Sequence, residues 1–113
     1  MADKTPLVFF RSGTGNEPVR EWLKGLPDDD RWAIGQDLQR LQYRWPVGMP
    51  LARPLSKGLW ELRTRLPSNR IARVLFFAEQ GRIGVVHGFI KKSRKTPAAE
   101  LALATERMKE LDE

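Results

Sequence analysis

Along this chain, apolar residues recur first at helical spacing and then at strand spacing, and the change of period sets out the fold. Leu7 to Phe10 is a short apolar run with strand character, ended by Gly13, Gly15 and Asn16. Val19, Trp22 and Leu23 follow at helical spacing behind Pro18, which predicts a short helix from Glu17 to Lys24, stopped by Gly25. Pro27-Asp28-Asp29-Asp30 opens a longer helix, where three acids suit the positive end of the helix dipole. Trp32, Ile34, Leu38, Leu41 and Trp45 form its apolar stripe, and Pro46, Gly48 and Pro50 end it in a loop reaching to about Lys57. Three strand-like segments come next, Leu59 to Leu66, Arg70 to Glu79 and Arg82 to Ile90. Pro67-Ser68-Asn69 and Gln80-Gly81 join them, both short enough for antiparallel hairpins. Thr96-Pro97 reads as the cap and first turn of a last helix, with Leu101, Ala104, Thr105, Met108 and Leu111 on one face. The order β-α-α-β-β-β-α predicts an α+β fold, a small and mainly antiparallel sheet flanked by helices. A length of 113 residues predicts a single domain.

Alternation within Leu59 to Leu66 puts Trp60, Leu62, Thr64 and Leu66 on one face and Glu61, Arg63 and Arg65 on the other. A three-residue turn at Pro67-Ser68-Asn69 pairs Leu66 with Arg70, and so sets Leu62 against Val74, Trp60 against Phe76 and Arg63 against Arg73. A two-residue turn at Ser68-Asn69 would shift this register and dissolve the arginine pair. Like charges directly opposite one another destabilise a sheet unless an anion lies between them, and an arginine fork suits phosphate. An ordinary salt bridge from Arg63 to Glu61 or to a helix carboxylate is the alternative. The third strand is expected to carry His87 and Phe89 on one face and Val86 and Ile90 on the other.

Charge sharpens this picture. The chain carries 20 Lys and Arg against 14 Asp and Glu, a formal net charge of +6. Residues 57–97 alone hold ten cations and two acids, net +8, a field that attracts polyanions. The expected partner class is nucleic acid or an acidic protein. With no cysteine there is neither a disulfide scaffold nor a thiolate nucleophile or metal site. His87 is the only histidine and the carboxylates are scattered, so no metal site and no cofactor are expected. The apolar runs are strand-sized and the first residues lack an apolar signal core, which predicts a cytoplasmic protein that enters no membrane.

Three blocks in this order, Gly58-Leu59-Trp60-Glu61-Leu62-Arg63, Arg70-Ile71-Ala72-Arg73-Val74-Leu75-Phe76 and His87-Gly88-Phe89-Ile90-Lys91-Lys92 followed by Lys95-Thr96-Pro97, carry a resemblance. With Pro18-Val19-Arg20-Glu21-Trp22-Leu23 upstream, the chain resembles the phage-derived, HigB-like branch of the RelE/ParE toxin superfamily. The resemblance implies a RelE-like fold and the toxin of a type II toxin–antitoxin pair that cuts mRNA on the ribosome. It also implies a cognate antitoxin, usually a helix-turn-helix DNA-binding protein, through which alone the complex would reach operator DNA. Matched position by position, Arg63 falls on the arginine of the family's Leu-Arg pair, Arg73 on a recurrent phosphate-stabilising arginine, and Lys91 and Lys92 on the basic residues ending the last strand; these four are the catalytic candidates that the resemblance implies. His87 is a further catalytic candidate, and Lys57, Arg65, Arg70, Arg94 and Lys95 are candidates for holding RNA. Many RelE proteins place a tyrosine near the C-terminus, whereas here no aromatic follows Phe89.

The expected chemistry is attack of a 2′-hydroxyl on the adjoining phosphate, leaving a 2′,3′-cyclic phosphate without a metal. Arg63 and Arg73 would stabilise the phosphorane, and Lys91, Lys92 or His87 would move protons. Two other readings stay open. One is a ParE-like toxin that poisons DNA gyrase without nuclease chemistry, and the other is a basic nucleic-acid-binding module.

Overall fold

The computed structural model describes residues 4–91 and 95–112. The elements are β1 (Leu7–Phe9), α1 (Pro18–Lys24), α2 (Asp28–Arg44), β2 (Ala52–Pro54), β3 (Trp60–Arg65), β4 (Ile71–Glu79), β5 (Arg82–Lys91) and α3 (Ala98–Asp112). They form an α+β fold around one five-stranded sheet in the order β1-β5-β4-β3-β2. Only the β1–β5 pairing is parallel, so the sheet is mainly antiparallel.

Two apolar clusters sit on opposite faces of the sheet. Ile34, Leu38 and Leu41 of α2 and Val19 of α1 pack on Leu62, Val74, Phe76 and Val85. On the other face Ala104, Met108 and Leu111 of α3 pack on Leu59, Leu75, Phe77 and Val86. The central strand β4 therefore buries both of its faces, one in the cluster under α1 and α2 and the other in the cluster under α3.

The turns follow from their residues. Leu66 N–H donates to Arg70 O at 2.8 Å across Pro67-Ser68-Asn69, and Asn69 takes φ +63°, a conformation asparagine tolerates well. This three-residue loop, rather than the two-residue alternative, gives the register Trp60↔Phe76, Leu62↔Val74 and Arg63↔Arg73. Gln80 and Gly81 both have positive φ, which makes the two-residue turn whose twist matches the strands it joins.

Two local features depart from the sequence reading. β2 lies within the stretch expected to be loop, so the order is β-α-α-β-β-β-β-α. Three residues ending in proline show no period of two, and only pairing with β3 (Ala52↔Leu62, Pro54↔Trp60) makes them a strand. In β5 the register to β4 shifts at Leu75/Phe76, with Leu75↔His87 followed by Phe76↔Val85. The extra residue is Val86, and the bulge turns it into the α3-side cluster, on the face of His87 and Phe89 rather than opposite them.

α1 reaches the sheet through Gly88: a Cβ there would collide with the Trp22 ring, so only glycine admits this approach. The acids at the start of α2 do more than meet the helix dipole. Asp30 is buried and accepts hydrogen bonds from Ser68 Oγ at 3.2 Å and Arg70 Nη2 at 3.0 Å, which ties the β3–β4 turn to α2.

Candidate active site

Glu61, Arg63 and Arg65 leave β3 on one face, and β4 brings Arg73 directly opposite Arg63. The anion that makes this pairing tolerable belongs to the protein. Glu61 is fully buried; its Oε1 accepts from Arg73 Nη1 and, at 3.0 Å, from Arg53 Nη2, while its Oε2 accepts from the Thr96 hydroxyl at 2.7 Å. One carboxylate thus gathers β2, β3, β4 and the segment leading into α3.

Arg73 is only 4% exposed. Burial holds its guanidinium below the ordinary value; Glu61 opposes that shift, and the charges of Arg63 and Arg53 add to it. Two guanidinium groups share one carboxylate here, so the cluster keeps a net positive charge. The Nε atoms of Arg53 and Arg73 are buried and have no hydrogen-bond partner among the described residues.

His87 lies on the same face, on the strand beyond Arg73, with its side chain 13% exposed. Its Nε2 lies 2.9 Å from Glu100 Oε2, and Arg107 Nη1 lies 3.4 Å from Nδ1 while donating to Val86 O at 3.0 Å. One ring nitrogen thus faces a carboxylate, which can only accept when ionised, and the other a guanidinium, which can only donate. Burial lowers the Arg107 guanidinium, opposed by Glu110, Glu100 and Glu106. Both ring nitrogens of His87 therefore face α3.

The other cations spread around this centre. Arg63 is half-buried and lines a cleft of about 450 Å³ with Arg40, Arg44 and Met49. Arg65 is exposed at the end of β3. Arg70 turns away to Asp30, on the α2 side. Lys57 is exposed in the turn before β3, at φ +54°. Lys91 closes β5 opposite Ile71, and Lys95 lines a cleft of about 760 Å³ with Arg53, Leu55, Pro97 and Leu101. Lys92 and Arg94 lie outside the described residues.

The structure thus brings Arg73 and His87 to the α3 side of the sheet; Arg63 shares their strand face by register but reaches the cleft beside α2, and Arg70 is turned away to Asp30. Arg53, Glu100 and Arg107 escape sequence reasoning: Arg53 sits in a strand without a pattern, and α3 looks like a plain amphipathic helix. Glu61 has a signal, an acid among basic residues on one strand face, but nothing in the pattern says that it is buried.

A model of the family described as phage derived protein Gp49-like (DUF891) matches residues 21–109, from α1 through most of α3. The chain belongs to that family. Its proteins are RelE-like and toxin-like. Comparison with curated proteins gives no match. The matched stretch contains Arg53, Glu61, Arg73, His87, Thr96, Glu100 and Arg107, the residues of the polar network described above.

Proposed function

We propose that this Gp49-like protein is the HigB-like toxin of a type II toxin–antitoxin pair, a cytoplasmic endoribonuclease that cuts mRNA on the ribosome. Membership of the Gp49-like family over residues 21–109 carries the proposal. The ten cations of residues 57–97 support a polyanionic substrate, and a cognate antitoxin would neutralise the protein by direct binding.

The geometry divides the labour. Arg63 and Arg65 are the solvent-reachable guanidiniums of β3 and bind the phosphate that becomes the phosphorane. Arg73 lies behind them against Glu61 and adds positive potential from a fixed, dry position. With both nitrogens of His87 engaged by α3, proton transfer falls to Lys91, the last residue of β5, or to Lys92, which follows it in the sequence. A single small domain grips a lone RNA strand over little area, and the ribosome supplies the rest of the positioning.

The sequestration of Arg73 and His87 favours a second reading, a binding toxin of the ParE type without nuclease chemistry. Inducible expression of the wild type, Arg63→Ala and Arg65→Ala, with growth and mRNA 5′ ends followed together, separates the two. The nuclease reading expects growth arrest with new mRNA ends, both weakened at least tenfold in the variants. Arrest with intact mRNA and inhibited supercoiling would replace it with the second. Arg73→Ala is the poorer test, because it also breaks a buried ion pair.

A further inference from the structure

Between the β2 edge and the start of α3 lies the 760 Å³ cleft, a volume suited to one nucleotide. Its walls are Leu55, Pro97 and Leu101, flat or branched apolar surfaces that can cover the face of a base. Arg53 and Lys95 supply positive charge, and the hydroxyl of Ser56 adds a group able to donate and accept. Arg53 uses Nη2 on Glu61 and leaves Nε buried without a partner among the described residues. That Nε is closed to solvent, whereas the side chain as a whole is about a third exposed, so a phosphate oxygen can meet the guanidinium charge from the cleft side. The Thr96 hydroxyl gives its proton to Glu61, so its lone pairs remain to accept from a ribose hydroxyl or a base N–H.

We propose that this cleft is a nucleotide subsite, in which Arg53 holds a backbone phosphate of the RNA strand next to the one bound at Arg63 and Arg65, and the apolar walls hold its base. The inference rests on the RNA reading above. It makes Arg53 a substrate-binding residue linked through Glu61 to Arg73, so that occupancy of the cleft and the position of the buried arginine are coupled. It also assigns base preference at one position of the substrate to Leu55, Pro97 and Leu101.

Amide NMR titration of the full chain with a 2′-O-methylated RNA hexamer of mixed sequence, which cannot be cut, tests it. The expected shifts fall at residues 53–56 and 95–101 together with the end of β3. Arg53→Gln, which keeps a donor for Glu61, is expected to weaken binding about tenfold. It should also reduce the slope of log affinity against log salt by about 0.7, the loss of one phosphate contact on a single strand. Ala98→Trp adds bulk at an exposed position of the cleft without changing charge, and is expected to weaken binding to a similar extent with the salt slope unchanged. Shifts confined to residues 63–65, with both variants at wild-type affinity, would overturn the subsite and leave the RNA reading standing. No shift anywhere at millimolar RNA would overturn both.

Discussion

Replacing Glu61 by glutamine keeps the shape of the side chain and removes its charge. In the wild type that carboxylate is fully buried and faces Arg73, itself 4% exposed, and Arg53, about a third exposed. Glu61→Gln leaves the Arg73 guanidinium without a counter-charge in a dry setting, and removing one partner of a buried pair costs about 3–5 kcal/mol. The amide oxygen still accepts one hydrogen bond, so the expected loss is about 3 kcal/mol, a large share of a stability of about 5–15 kcal/mol. At about 4 °C per kcal/mol for a domain of this size, Tm falls by about 12 °C. Arg53→Met should cost only about 1 kcal/mol, because its partner keeps Arg73 and its own charge is partly hydrated. The double variant Glu61→Gln, Arg73→Met removes both buried charges and should recover at least about 1 kcal/mol relative to Glu61→Gln alone. Urea unfolding followed by tryptophan fluorescence reads all three on one scale. A Glu61→Gln variant within about 1 kcal/mol of the wild type would refute the argument that this carboxylate balances a buried charge.

Three further outcomes follow from the packing. Gly88→Ala puts a methyl group into the Trp22 ring and should cost about 1–3 kcal/mol in thermal unfolding, with Trp22→Ala restoring part of the loss in the double variant. Arg70→Ala leaves Asp30 buried with Ser68 as its remaining side-chain partner and should cost about 1–2 kcal/mol, while leaving RNA binding close to wild type because Arg70 faces α2. Glu100→Ala frees His87 Nε2 and should raise amide hydrogen exchange in the first turns of α3 several-fold, with β4 unchanged.

The β3–β4 hairpin was the most legible part of the sequence, because alternation assigns the faces and the three-residue turn, one of two open there, sets apolar residues opposite apolar ones. The faces of Trp60 and Leu62 follow from the alternation, and the register sets them against Phe76 and Val74. β2 was hidden because its three residues become a strand only when β3 lies beside them. The bulge at Val86 was hidden for a different reason: in Gly84-Val85-Val86-His87 either valine fits either face, and only packing against α3 decides. The pairing of Arg63 with Arg73 was visible, but the anion between the strands was not identifiable. Its identity depends on Arg53, eight residues upstream of Glu61, and on Thr96, thirty-five residues downstream. His87 stood out as a lone histidine, yet its surroundings come from Glu100 and Arg107, whose spacing on α3 looks like ordinary helix surface.

The most direct test of the proposed function is a reconstituted bacterial translation reaction given purified protein and one defined mRNA, with 5′ ends mapped and the 3′ ends of the products identified. The expected result is cleavage only while ribosomes translate the message, with 2′,3′-cyclic phosphate ends. Intact mRNA at protein concentrations matching the ribosomes would contradict the nuclease reading and leave the basic face a binding surface.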